Sequence, residues 1–209
     1  MIALRRIKIV LIAAVVLFLS LQFAQLAEKR YQDNGEYPPT WVQLLSNARK
    51  GNFGVGNFSG TPNNLDLSVL EPGDIILGGN PGASYGHYSH AGMYVGNNQV
   101  VTMYTTTGVY LEQPAAYHRY QWAAVARVTA EAQQKKEAVS YCRSQVGAPF
   151  FILTSKAEDG LWYCSKLIWF AYWKQGLDLD PFNSYWVIPD AFVHSPHIQV
   201  ITKAEVRDQ

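Results

Sequence analysis

Cysteine is almost absent from this chain: Cys142 and Cys164 are the only two in 209 residues. Two thiols allow one disulfide at most, and the sequence leaves open whether they pair or stay free. Charge is also scarce and nearly balanced, with 17 Lys and Arg against 16 Asp and Glu. A net charge of +1 provides no basic surface for a nucleic-acid partner. Histidine is sparse too. His87 and His90 have half the spacing of a metal site, but no third or fourth ligand follows at motif spacing, so no metal and no cofactor is expected. His118, His194 and His197 read as surface or loop residues. There is no internal repeat and no low-complexity tract.

Apolar and aromatic residues are abundant. Arg5, Arg6 and Lys8 precede an apolar run from Ile9 to Leu21, which extends through Phe23, Ala24 and Leu26. This is the layout of an uncleaved signal anchor or a signal peptide over residues 1–27. No small-x-small cleavage site is clear, which favours the anchor. The basic flank then stays in the cytoplasm and the remaining chain lies outside, or is secreted if the N-terminus is cleaved. Roughly 180 residues follow, the size of one domain with a substantial core. The 13 Tyr, 9 Phe and 6 Trp suit a large core or an aromatic-lined groove.

Along the chain, Thr40 is positioned to cap a short helix carrying Trp41, Leu44 and Leu45. Residues 51–64 are rich in Gly and Asn and read as a loop, whose Phe53, Val55 and Phe58 suggest packing. Pro72-Gly73 turns into a strand through Ile75, Ile76 and Leu77. His90 to Val95 and Gln99 to Tyr104 form a hairpin about Gly96-Asn97-Asn98. Strands at 109–112 and 122–128 complete an antiparallel meander, expected to curl. Thr129 is placed to cap a helix over 130–146. The run Cys164 to Gln175 has Leu167, Ile168, Ala171 and Tyr172 on one helical face, with Gly176 as its stop. Residues 177–196, with three prolines, read as loop before a last strand at 198–202.

Cys164 thus falls at a helix start, where unpaired N–H groups and the helix dipole favour a thiolate. The alternative is a small buried hydrophobe, and Cys142, in mid-helix, reads that way. A thiol with a strand-borne histidine is the minimal apparatus of acyl transfer.

Four segments carry a family resemblance. Glu71-Pro72-Gly73-Asp74-Ile75-Ile76, His90-Ala91-Gly92-Met93-Tyr94-Val95-Gly96, Gln145-Val146-Gly147-Ala148-Pro149-Phe150 and Tyr163-Cys164-Ser165-Lys166-Leu167-Ile168 resemble motifs of the NlpC superfamily of papain-like hydrolases. The histidine precedes the cysteine, as in its circularly permuted, YiiX-like branch, which also includes lecithin retinol acyltransferase relatives. The resemblance implies an α+β fold, a permuted papain-like domain over 70–202 with an antiparallel curled sheet and packed helices, to which the apolar run adds the N-terminal anchor helix. Residues 28–69 are then linker and extension, and 203–209 a tail. It implies Cys164 as nucleophile and His90 as base. Thr102 stands twelve positions after the base, where many members have a polar orienting residue, often histidine. Glu112 is an alternative third residue. Tyr88, Tyr163 and Ser165 flank these positions and are expected to contact substrate. The expected function is a cysteine hydrolase or acyltransferase outside the cytoplasmic membrane, acting on cell-wall peptide or on a lipid acyl group. The rival is a non-catalytic binding module with a degenerate triad.

Overall fold

The computed structural model describes residues 2–52, 54–58 and 60–206. Phe53 and the end of the expected tail lie outside them. No glycine or proline occurs before Gly35, and helix α1 runs unbroken over Ile2–Asp33, past the expected end of the anchor at residue 27. It is long and apolar enough to cross a membrane, and its apolar side chains from Ile7 to Leu19 are exposed. Helix α2, Thr40–Arg49, packs along its C-terminal end. Phe23 stacks on Trp41 with ring centroids 6.5 Å apart, Ala24 is fully buried, and Glu28 accepts from Ser46 and pairs with Lys50 at 3.1 Å. Thr40 is not the cap. Pro39 holds that position, and the buried Thr40 hydroxyl has no partner among the described residues.

Six strands form one antiparallel sheet: β1 Ile75–Gly79, β2 His90–Tyr94, β3 Val100–Tyr104, β4 Gly108–Glu112, β5 Trp122–Val128 and β6 Ile198–Glu205. Asn97 and Asn98 take φ of 55° and 56° in the β2–β3 turn, a conformation asparagine tolerates better than most residues. Of the expected meander, β2, β3 and β4 pair in sequence, with β1 on the other side of β2. The next does not extend it: a 3-10 helix, Pro114–Arg119, carries the chain back across the sheet, and β5 pairs with β1, Ile75 opposite Ala126. The sheet order is therefore β4-β3-β2-β1-β5-β6, with a register shift between β5 and β6 at Val125/Ala126.

Alternation along these strands divides the core into two layers. Ile75, Leu77, Ala91, Met93 and Val101 face helices α3 Ala132–Ser144, α4 Cys164–Trp173 and α5 Pro189–His194. Ile76, Val100 and Val125 face Leu65, Tyr117 and Tyr120 on the opposite side. α3 begins two residues later than expected. Glu131 is its cap, in a capping box with Gln134, while the Thr129 N–H is committed to the His197 carbonyl. α4 is buried at every residue from Ser165 to Tyr172, so one apolar face understates it. Gly176, with φ of 81°, closes it as expected. The stretch expected as loop contains α5, with Pro189 in its first turn.

At the base of β1, Asp74 is fully buried and receives Arg127 Nε at 3.0 Å and Nη2 at 2.8 Å, together with the Glu71 N–H at 2.9 Å. This is the structural work of the Pro-Gly-Asp turn.

Candidate active site

Tyr163 is extended, with φ of −132°, and the helix begins with Cys164. The thiol is free and half-buried, and Cys142 is free and fully buried. The two are therefore not paired here. Burial is the largest influence on Cys164 and pushes its thiol up; the backbone N–H groups of Ala91, Ser165 and Cys164 itself pull it down by less. Desolvation thus opposes the thiolate expected at a helix start and outweighs the pull of the helix end.

His90 is the first residue of β2 and is 2% exposed. Its Nε2 lies 2.7 Å from Thr102 Oγ1, and that hydroxyl lies 3.0 Å from the Ala91 carbonyl. A threonine has one proton, and the carbonyl can only accept it. Thr102 Oγ1 therefore accepts Nε2–H from the ring, which leaves Nδ1 unprotonated. The ring stacks on Tyr104 at 4.2 Å, with Tyr117 and Tyr120 within 6 Å. Burial, reinforced by the positive charge of Arg119, depresses His90 to about 3. Burial thus favours a neutral imidazole and a neutral thiol. No hydrogen bond joins them among the described residues; the sulfur meets the N–H of Ala91, one residue along the strand.

His87 goes elsewhere. It stacks on Trp122 at 4.2 Å and gives its N–H to Asp190 at 2.8 Å. The two histidines diverge, and among the described residues no three of His, Cys, Asp and Glu converge as metal ligands. Glu112 accepts from Tyr110 at 2.8 Å and faces Arg119 at 3.5 Å; Thr102, not Glu112, holds the His90 ring.

A cavity of about 220 Å³ opens beside Cys164, walled mainly by Leu44, Tyr85, Phe150, Ile152, Trp186 and Ile188. Tyr163 and Ser165 also line it. The Tyr163 hydroxyl receives the Val187 N–H at 3.0 Å, and the Ser165 hydroxyl donates to the Val187 carbonyl at 2.8 Å, so both polar groups are already partnered. Tyr88 does not line it. It is buried in the core, with its N–H on Asp190 at 2.6 Å. A larger, shallower groove of about 670 Å³ lies beside Tyr104 and Arg119 and does not include Cys164.

Residues 70–202 match the family model of a permuted papain-like amidase, YaeF/YiiX, C92 family. The chain belongs to the C92 family. Among solved structures, it is similar to the crystal structure of the metalloprotein yiiX from Escherichia coli O157:H7, at 19% identity and a TM-score of 0.55, over 65% of this chain and 98% of that one. That likeness supports the fold alone. No curated protein matches.

Within this C92 domain the structure adds residues that the motifs do not mark. Tyr85 gives its hydroxyl to the Ser89 carbonyl at 2.9 Å beside Cys164, and burial is the main reason its phenol is held up. Leu44 reaches the cavity from α2, outside the matched region; its only signal is the short amphipathic patch after Thr40. Lys166 is fully buried. Its Nζ donates to Thr154 Oγ1 at 3.0 Å and to the Leu161 carbonyl at 2.7 Å, above the Trp162 ring. This fastens to α4 the loop that carries Phe150 and Ile152.

Proposed function

We propose that this C92 chain is a cysteine acyl hydrolase of amide or ester bonds, with Cys164 as nucleophile, His90 as base and Thr102 as its orienting partner. The observation that carries the reading is the apolar cavity opening on the thiol, which suits an apolar acyl group better than a hydrated, charged wall peptide. Each methylene removed from water there contributes about 0.8 kcal/mol.

The site's chemistry follows from its resting state. His90 Nδ1 takes the thiol proton as sulfur attacks the carbonyl carbon. The N–H groups at the start of α4 face the developing oxyanion. The imidazolium then gives its proton to the leaving amine or alcohol, and a thioester remains on Cys164. Water, deprotonated by the same nitrogen, releases the acid. Because burial and Arg119 disfavour the imidazolium, the proton is held only in passing. Thr102 accepts Nε2–H throughout. YiiX is described as a metalloprotein, but among the described residues of this chain no set of donors gathers that would hold a metal.

The test is an alkyne-tagged acyl thioester incubated with the full chain, followed by mass mapping. A Cys164 adduct that is lost in His90→Ala supports the reading. No adduct, or one on Cys142, overturns it and leaves a binding module.

A further inference from the structure

The wall of the Cys164 cavity and the apolar helix α1 share one element. Leu44 and Thr40 of α2 line the cavity, while the same helix is fixed to α1 by Phe23–Trp41 stacking and by Glu28. At about 1.5 Å per residue, the stretch from Ile7 to Leu26 is about 30 Å long, the thickness of a bilayer core. α2 grips it at Gln22, Phe23 and Ala24, inside the outer end of that stretch, with Gln22 taken up by Arg49. The domain and the apolar helix are therefore joined through the packed contacts of α2.

Exposed apolar side chains continue from that junction to the cavity mouth. Trp41 is 48% exposed and shares a groove with Tyr185, which is 60% exposed, and with Trp186. Trp186 gives its indole N–H to the Ile152 carbonyl at 3.1 Å, and Leu153, next along, is 75% exposed. Aromatic residues with one polar edge are what a membrane–water interface favours.

We propose that the strip Phe23, Trp41, Tyr185, Ile152 and Leu153 lies on the bilayer leaflet on the domain's side, and that the acyl chain reaches Cys164 from that leaflet. This rests on the acyl reading above and names its substrate class: an acylated lipid resident in the membrane. The occupant follows from continuity, since the strip begins on the helix that fits a bilayer and ends at the thiol's cavity. An apolar helix with an apolar strip beside it holds the surface by two contacts, more firmly than either alone.

The test uses the full chain in vesicles of phosphatidylethanolamine and phosphatidylglycerol, with plain or brominated acyl chains. Brominated chains should quench tryptophan emission, with part of the quenched signal lost in Trp41→Phe and in Trp186→Phe. A second arm compares Cys164 acylation by a long-chain reporter held in the vesicles with acylation by a water-soluble short-chain form. Leu153→Asp should lower the ratio of the two rates about tenfold. An unchanged ratio without quenching of Trp186, while the short-chain reporter still acylates Cys164, overturns the membrane route and leaves the acyl reading standing. If neither reporter acylates Cys164, the acyl reading fails and the route with it.

Discussion

The Nε2 of His90 sits 2.7 Å from the hydroxyl of Thr102, and the direction of that hydrogen bond is set by a third group, the Ala91 carbonyl. A neutral threonine thereby does for the imidazole what a carboxylate or amide does elsewhere. It selects the tautomer that leaves Nδ1 free, although it adds no charge to stabilise the imidazolium.

Thr102→Val should therefore lower kcat of acyl transfer by about ten- to a hundredfold with little change in KM, because the acceptor for Nε2–H is gone. Thr102→Ser should restore most of it. Steady-state kinetics on a soluble acyl reporter decide the matter. Equal activity in the valine variant would remove Thr102 from the site.

The raised Cys164 thiol predicts a pH profile. Alkylation of Cys164 by iodoacetamide should be slow at neutral pH and keep climbing past the ordinary thiol value of about 8.5. Cys142, fully buried and also pushed up, should react more slowly still. Mass spectrometry of both peptides against pH reads the two rates. A plateau for Cys164 below pH 7 would instead mean a preformed thiolate–imidazolium pair.

His90 also predicts acid sensitivity. Its folded value is about 3 and its unfolded value about 6.5, so the unfolded chain binds the extra proton between them. The stability tied to the neutral ring is complete above about pH 6.5 and is lost as pH falls toward about 3. Thermal unfolding should show Tm dropping through this window, and His90→Gln should flatten that part of the slope whatever its own Tm.

Asp74 carries structure, not chemistry. Asp74→Ala leaves Arg127 without its buried acceptor and the Glu71 N–H without a partner, and should destabilise the fold by about 3 kcal/mol. Urea denaturation measures this. A change under about 0.5 kcal/mol would mean that Glu71, 2.8 Å from Arg127, suffices alone.

What the sequence makes legible is local. The turn at Asn97-Asn98, the Gly176 stop and the start of α4 at Cys164 each depend on residues within a few positions, and each is as expected. The misreadings have several causes. β5 chooses β1 over β4 because the 3-10 helix carries it there. Thr129 is not the cap because α3 starts later, at Ala132, where Glu131 and Gln134 form a capping box. Prolines that suggest loop at 177–196 include Pro189, which instead opens a helix. In the site, Cys164, His90 and Thr102 occupy motif positions, whereas Tyr85 and Leu44 reach the cavity only through tertiary packing. Tyr88, adjacent in sequence to the histidine region, turns into the core. The thiol's protonation state was hidden for the same reason: a helix start is visible in sequence, but the neighbours that desolvate it are not.

Lys166 is two residues from Cys164, the nearest amine along the chain. In many settings an amine so close to a thioester would capture the acyl group and end turnover with a modified lysine. Here its protons are directed to Thr154 and Leu161, its side chain is shut beneath the loop, and successive helical positions send the two side chains to different sides of α4. The fold thus withholds its own closest acceptor. In the proposed reaction an acyl group on Cys164 is kept from this amine and left to a molecule that enters from outside, water or another nucleophile.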